Sequence, residues 1–350
     1  MKVVDFGKVR LYDLEPVVES FFEQVVAGLS QRSKTIPCKF FYDAKGADIF
    51  GEITRLSEYY PTRLETQIME DMAGVMARTL GERVRLVEFG SGSSVKTRLL
   101  LTALTQPASY VPIDISREYL VENAIRVQEE YPETVVQPLC ADYTQDFELP
   151  PETVESRCTV AYFPGSTIGN FSVDEAREFL TMVARCVGED GALILGVDRY
   201  PAEHHGIEGS HQKHKTIDDL HWAYNDAAGV TARFNLNLFE RMRSELGAEV
   251  DIDGFEHEAI FDELASRIEM RLISKKEQVI KVGDHEFSFA KGEWIITEHS
   301  HKYDSRAVER IVAHAGFPLQ CAQAFSDDDG WFVVYLFLRP GHPHAKAILG

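Results

Sequence analysis

Residues 84–100, VRLVEFGSGSSVKTRLL, constrain this chain more than any other stretch. Leu86-Val87-Glu88-Phe89 has the apolar character of a buried strand, and Gly90-Ser91-Gly92-Ser93-Ser94 imposes a sharp turn. From Lys96 to Leu104 the text is helical, with Leu99, Leu100 and Leu104 available to one core face. A strand, a glycine turn and a helix make the ligand-binding unit of a doubly wound α/β sheet. The glycines let backbone approach a ligand, and the helix N-terminus offers free N–H groups.

The following text extends that pattern. Residues 110–115, 135–142, 159–163 and 191–198 read as strands alternating with helices, which argues for a parallel sheet. Ser116 is placed to N-cap a helix carrying Leu120, Ala124 and Val127, and Ser172 and Glu175 have capping-box spacing. Ahead of the first strand, helices are expected over 14–29, through Ile49, Phe50, Ile53 and Leu56, and from a cap at Thr62 toward Leu80. After residue 201 the pattern changes. A polar, His-rich stretch leads into helical text over 218–246. Candidate antiparallel strands follow at 257–261, 266–274, 277–282 and 293–297, which suit a second, α+β unit. A helix over 306–315 and strands over 319–325 and 331–338 return to the first sheet as its antiparallel edge.

The chain has 350 residues, 44% of them hydrophobic, enough for one large or two smaller cores. No apolar run approaches the roughly 20 residues that span a bilayer, and the N-terminus has no signal-peptide core, so a soluble cytoplasmic protein is expected. A net charge of −20 disfavours nucleic acid and anionic membranes as partners. Cys38, Cys140, Cys158, Cys186 and Cys321 form no C-x-x-C pair and are expected as free thiols.

The glycine loop narrows the ligand. Gly90-x-Gly92-x-x-Val95 lacks the third glycine of a dinucleotide fingerprint, and no G-K-[ST] is present for a P-loop. Acids instead close successive strands: Glu88, Asp114 and Asp142. Asp114 lies 24 residues after Gly90, near the spacing of a ribose ligand. Each acid alone could be a solvated loop carboxylate. Together they suit a cationic cofactor without phosphates, S-adenosylmethionine. Lys96 could cap its carboxylate.

Several blocks, in order, resemble the histidine-specific Nα-methyltransferases of ergothioneine biosynthesis: FFYDAKGADIFGEITRLSEYYPTR (40–63), VEFGSGSSVKTRLLL (87–101), YVPIDIS (110–116), FPGSTIGNF (163–171), AYNDAAGVTARFN (223–235), RIEM (267–270) and TEHSHKY (297–303). The resemblance implies a Rossmann-like class I methyltransferase domain, over 62–200 and 301–350. A second α+β substrate-binding domain would be built from 1–61 and 201–300. It implies trimethylation of the α-amine of L-histidine to hercynine by a monomer. On the cofactor side it places Gly90, Lys96, Asp114, Asp142 and Tyr143, with Glu88 and Gly165 counted beside them at strand ends. Tyr59, Asn170 and Tyr224 would bind the substrate carboxylate, and Tyr42 would sit near the amine. Glu298 and Ser300 would read the imidazole, with Met270 on the wall. Tyr42, Tyr59 or water held by them would pass on the amine proton, because only the neutral amine attacks. Positions 298 and 300 share one face of a strand, so a carboxylate and a hydroxyl could meet two ring nitrogens.

Two other readings stand beside this one: N-methylation of another amino acid or indole amine, and an idle S-adenosylmethionine binder. The segment EHHGIEGSHQKHK (203–215) departs from the family pattern. It matches no zinc spacing, so no metal is expected. It reads as a solvated loop, with a lid over the amino-acid site as the alternative.

Overall fold

The computed structural model describes residues 1–15, 21–92, 95–201, 213–318, 320 and 322–345. Its first element was not expected. Strands β1 (Lys2–Asp5) and β2 (Arg10–Asp13) form a hairpin turned by Gly7 at φ +78°. Val9 and Leu11 alternate inward, and Leu11 is fully buried against Leu120, Val121 and Cys140. The helix expected over 14–29 is therefore α1 (Phe21–Leu29) alone among the described residues. A short strand β3 (Lys34–Thr35), a 3₁₀ turn (Cys38–Phe41), α2 (Ala44–Ile53) and α3 (Tyr60–Leu80) follow. Thr62 does not cap α3: Tyr59 occupies that position, and Pro61 lies in the first turn, where its missing N–H costs nothing.

The glycine-loop unit is β4 (Val84–Phe89) and α4 (Val95–Ala103). After it come β5 (Ser109–Asp114), α5 (Arg117–Glu130), β6 (Val135–Val136), β7 (Leu139–Cys140), β8 (Cys158–Phe163), α6 (Val173–Val187) and β9 (Ala192–Asp198). Pro138 cannot donate to a ladder, so the expected third strand is split into β6 and β7. Ser116 stands at the N-cap of α5 without a side-chain cap bond, whereas Ser172 and Glu175 form the full capping box of α6.

The second unit contains α7 (Ile217–Tyr224), α8 (Val230–Leu246), β10 (Phe255–Asp262), β11 (Arg267–Ser274), β12 (Gln278–Val282), β13 (His285–Phe289) and β14 (Trp294–His301). The chain closes with α9 (Ser305–Val312), β15 (Ala322–Ser326) and β16 (Phe332–Leu338). Strand β13, the partner of β12, was missed in the sequence.

The large sheet has the order β1-β2-β7-β5-β4-β8-β9-β16-β15, with β6 also on β5. Strands β4, β5, β7, β8 and β9 are parallel, and β16 runs antiparallel between β9 and β15. Helices α6 and α9 cover one face; α3, α4 and α5 cover the other. The smaller sheet, β10-β11-β14-β3, packs its core with α1, α2, α7 and α8. Boundaries at 61/62 and 300/301 fall inside α3 and β14, and residues 2–13 belong to the large sheet, not to the substrate side. The order reverses about β4, with β5 to one side and β8 to the other, and such a switch point opens a crevice at the strands' C-terminal ends.

Candidate active site

The loops after β4 and β8 meet at that crevice. Gly90 and Gly92 have φ of +72° and +42°, and the N–H groups of Gly90 and Ser91 donate to Ile113 O at 2.9 and 3.3 Å. A Cβ on Gly90 would come within 3.6 Å of the Tyr143 hydroxyl, so this loop and the segment after β7 are in close contact. Gly165 has φ +80° and lies beside Lys96. Lys96 pairs with Glu65, and the Gly165 N–H donates to the same carboxylate at 2.8 and 3.0 Å. Glu65 is fully buried and was not picked out from the sequence. It ties both ligand-facing loops to α3. The signal was present only as a charge on the apolar face of a helix.

The strand-end acids take different positions. Asp114 accepts from Ser116 N–H at 2.9 Å; poor solvation raises its pKa, against backbone bonds from Ser116 and Gly92. Asp142 is also poorly solvated, yet its pKa is lowered overall: Thr144 donates twice, at 2.6 and 3.0 Å, and Lys39 stands 3.2 Å away. Glu88 does not face the crevice. Thr97 and Tyr110 donate to its two oxygens, and burial pushes the carboxyl up to about 7. It acts beneath the loop, fixing α4 to β4 and β5. Tyr143 packs edge-on against Phe89, Phe163 and Phe179, at 5.8–6.1 Å between centroids.

Across the crevice a cavity is lined by Tyr42, Phe50, Tyr59, Tyr224 and Phe234, with Asn170, Met270, Glu298 and Ser300 among its polar and apolar walls. Gly165, Ser166 and Thr167 form the side toward the glycine loops. The rings make an edge-on series: Tyr42–Phe50 at 5.7 Å, Tyr42–Phe234 at 5.8 Å and Tyr59–Tyr224 at 6.0 Å. Burial pushes the Tyr42 and Tyr59 hydroxyls well above the usual range, so both stand protonated at neutral pH. Asn170 ends a 3₁₀ turn (Thr167–Asn170), and its amide donates to Cys38 Sγ at 3.9 Å. Gly169 lets this turn touch β14: a Cβ there would lie 2.8 Å from His301 O.

Glu298 and Ser300 reach the cavity through a β-bulge. Strand β11 pairs Leu272 with Ile295 and Arg271 with Ile296, then Met270 with Glu298 and Ile268 with Ser300, leaving Thr297 as the extra residue. The bulge moves 298 and 300 onto the inner face that Ile295 already occupies. Thr297 is held by bonds to Asn235 Oδ1 at 2.8 Å and Met270 O at 3.1 Å. Among the described residues nothing hydrogen-bonds the Glu298 carboxylate. Burial pushes it up to about 7, with Lys302 pulling the other way. This carboxyl costs stability as pH rises from about 4.5 to 7, because the unfolded chain releases its proton first while burial keeps it on the folded state up to about 7. Glu298→Gln is expected to stabilise the free protein at pH 8 by on the order of 2 kcal/mol and to change nothing at pH 4. Thermal unfolding at the two pH values checks this; equal effects at both would remove the titration as the cause.

Behind Ser300 lies a network not foreseen from sequence. Asp198, at the end of β9, accepts from Tyr60 Oη at 2.9 and 3.0 Å, from Lys302 at 2.8 Å and from Lys215. Lys302 also donates to Ser300 Oγ at 2.9 Å and Tyr224 Oη at 3.0 Å. The clues were a fourth acid at a strand end and a lysine two residues past Ser300. Residues 203–212 of the His-rich segment lie outside the described residues, as does Cys321, but its last three, 213–215, are described, and Lys215 is not solvated: it is buried on Asp198. Among the described residues no group of His, Cys, Asp or Glu could hold a metal ion, Cys38, Cys140, Cys158 and Cys186 are free thiols, and no helix is long and apolar enough to cross a membrane.

This geometry defines a class: a Rossmann-like class I methyltransferase, with its parallel sheet, antiparallel β16 and glycine loop facing a covered aromatic pocket. The family follows from comparison. Residues 21–339 match the model of the S-adenosylmethionine-dependent histidine-specific methyltransferases, and the chain belongs to that family. It is 36% identical over 330 residues to the histidine N-alpha-methyltransferase of Mycolicibacterium smegmatis, covering 93% of this chain and 97% of that one. The enzyme of the same name from Mycobacterium tuberculosis is 35% identical over 314 residues, covering 88% and 91%. The 4-dimethylallyltryptophan N-methyltransferase of Aspergillus fumigatus is 32% identical over 174 residues, covering 47% and 50%.

Proposed function

We propose that this enzyme transfers methyl groups from S-adenosylmethionine to the α-amine of L-histidine until the nitrogen is quaternary, giving hercynine, the first step toward ergothioneine. One observation carries this reading: an unpartnered carboxylate, Glu298, and a hydroxyl, Ser300, share the inner wall of an aromatic cavity that opens on the glycine loops. An imidazole offers one N–H and one bare nitrogen to such a pair. An indole offers an N–H alone and no acceptor for the Ser300 hydroxyl, which disfavours the tryptophan-type alternative.

The cofactor residues fit the group. Gly90 and Gly165 leave room at positive φ and Asp114 has the ribose spacing; on this reading Asp142 would meet the adenine and Lys96, steadied by Glu65, the methionine carboxylate. The bound cofactor supplies an electrophilic methyl on a sulfonium. The chain's own work is positioning, which can supply much of the rate of an in-line displacement. Tyr59, Asn170 and Tyr224 hold the substrate carboxylate, Glu298 and Ser300 the ring, and so the amine is directed at Tyr42. The protonated Tyr42 and Tyr59 hydroxyls order a water that carries the amine proton away. The aromatic faces tolerate the growing positive charge by cation–π attraction.

The same reading makes the enzyme a cytoplasmic monomer acting on a small molecule without nucleic acid, in keeping with a net charge of −20. The test is an endpoint incubation with S-adenosylmethionine and all standard amino acids, histamine and dimethylhistidine, read by mass. Trimethylated histidine as the sole product is expected. Methylation of another amine instead, or bound cofactor without turnover, would overturn the reading.

A further inference from the structure

Lys302 is fully buried, and its three protons have three acceptors: Asp198 Oδ2 at 2.8 Å, Ser300 Oγ at 2.9 Å and Tyr224 Oη at 3.0 Å. An ammonium only donates, so it occupies one lone pair on each hydroxyl oxygen. The two hydroxyls lie 2.9 Å apart, and both line the cavity. Without ligand, one donates to the other. We propose that Lys302 is a positioning residue that commits Ser300 and Tyr224 to act as hydrogen-bond donors toward the bound amino acid. The pocket then selects a ring with a bare nitrogen at Ser300 and a carboxylate at Tyr224. This rests on the cavity being the histidine site.

The geometry explains why a charge is buried here. A neutral hydroxyl can accept or donate, and a pair of them can exchange roles. The ammonium takes one lone pair on each oxygen, which biases both hydroxyls toward donating to a ligand. Asp198 holds the ammonium, and Lys215 and Tyr60 occupy the rest of that carboxylate, so Lys302 has no alternative place on it. With Ser300 donating and Glu298 accepting, the two sides of the ring are distinguished: one neutral imidazole tautomer satisfies both. A substrate ring lacking the bare nitrogen leaves Ser300 only Tyr224 to donate to, and the missing bond to the ring weakens binding.

The experiment combines Lys302→Met and Ser300→Ala, singly and together, with steady-state kinetics on histidine and calorimetric binding of S-adenosylmethionine. Lys302→Met is expected to raise KM for histidine about tenfold or more, with kcat within threefold and cofactor affinity unchanged. Ser300→Ala should then raise KM less in the Lys302→Met background than alone, since the two act through one contact. Additive effects, or an equal loss of cofactor affinity, would reduce Lys302 to a structural residue and overturn the proposal. Should Lys302→Met not fold, competition by pyrrol-2-yl- and pyrrol-3-ylalanine decides. Each keeps a ring N–H and has no bare nitrogen. The better of the two should bind at least tenfold more weakly than histidine to the native enzyme, and within threefold of histidine in Ser300→Ala. No dependence on Ser300 overturns the proposal. Absence of any histidine turnover by the native enzyme would instead sink the function itself.

Discussion

Glu298→Ala is expected to lower kcat/KM for histidine by on the order of 10²–10³-fold, the usual cost of removing one partner of a buried, charge-assisted hydrogen bond. The effect is large because the carboxylate has no other described partner and faces the cavity from a bulged strand whose backbone cannot follow the deletion. Discrimination should relax at the same time. On the proposed function, amino acids with apolar rings would strand the carboxylate in the native pocket; in the variant that penalty is gone, and the space left beside Met270 is apolar. Initial rates on histidine, phenylalanine and tryptophan check both parts. Histidine kinetics within threefold of native would mean that Glu298 does not contact the ring.

Asp198→Ala has the largest expected effect on stability, roughly 3–5 kcal/mol, or a fall in Tm of about 10 °C. Asp198 lies between two buried ammonium groups and a buried phenol. Burial raises its pKa, but Lys215 and Lys302 outweigh that and hold the carboxyl below its ordinary range. Burial likewise lowers Lys215 to about 8, with Asp198 opposing and Lys302 adding repulsion. Without the carboxylate, two like charges share one dry site, and Lys215 keeps the carbonyls of Arg199 and Trp331, at 2.7 and 3.4 Å, with Asp327 acting as well. Asp198→Asn should fall between native and Asp198→Ala, since it keeps shape and an acceptor but not charge. A loss under 1 kcal/mol in chemical denaturation of Asp198→Ala would show that water replaces the carboxylate at little cost.

The cluster also joins the two halves of the molecule. Asp198 ends a strand of the large sheet, Lys302 follows β14 of the smaller one, and Lys215 leads into α7. A fault here therefore reaches the substrate wall and the core together. That separates it from Glu298, whose loss costs function and, above neutral pH, improves stability.

Much was legible in the chain itself. Apolar runs alternating with helical text are short-range patterns, and they point to a parallel sheet because strands covered on both faces carry near-continuous apolar sequence. The glycine turn, the acids at Asp114 and Asp142 and the capping box at Ser172 and Glu175 depend on neighbours within a few residues. So does the sharing of one strand face by Glu298 and Ser300. Tertiary structure decided which face that is: the extra residue Thr297 exists only as a mismatch between β11 and β14, which are separated in sequence by β12 and β13. It also decided that Glu88 turns away to Thr97 and Tyr110, that Glu65 holds Lys96 and Gly165, and that residues 2–13 extend the large sheet. Each depends on a partner that only packing brings near, and a buried charge finds its place by that partner rather than by its position along the chain.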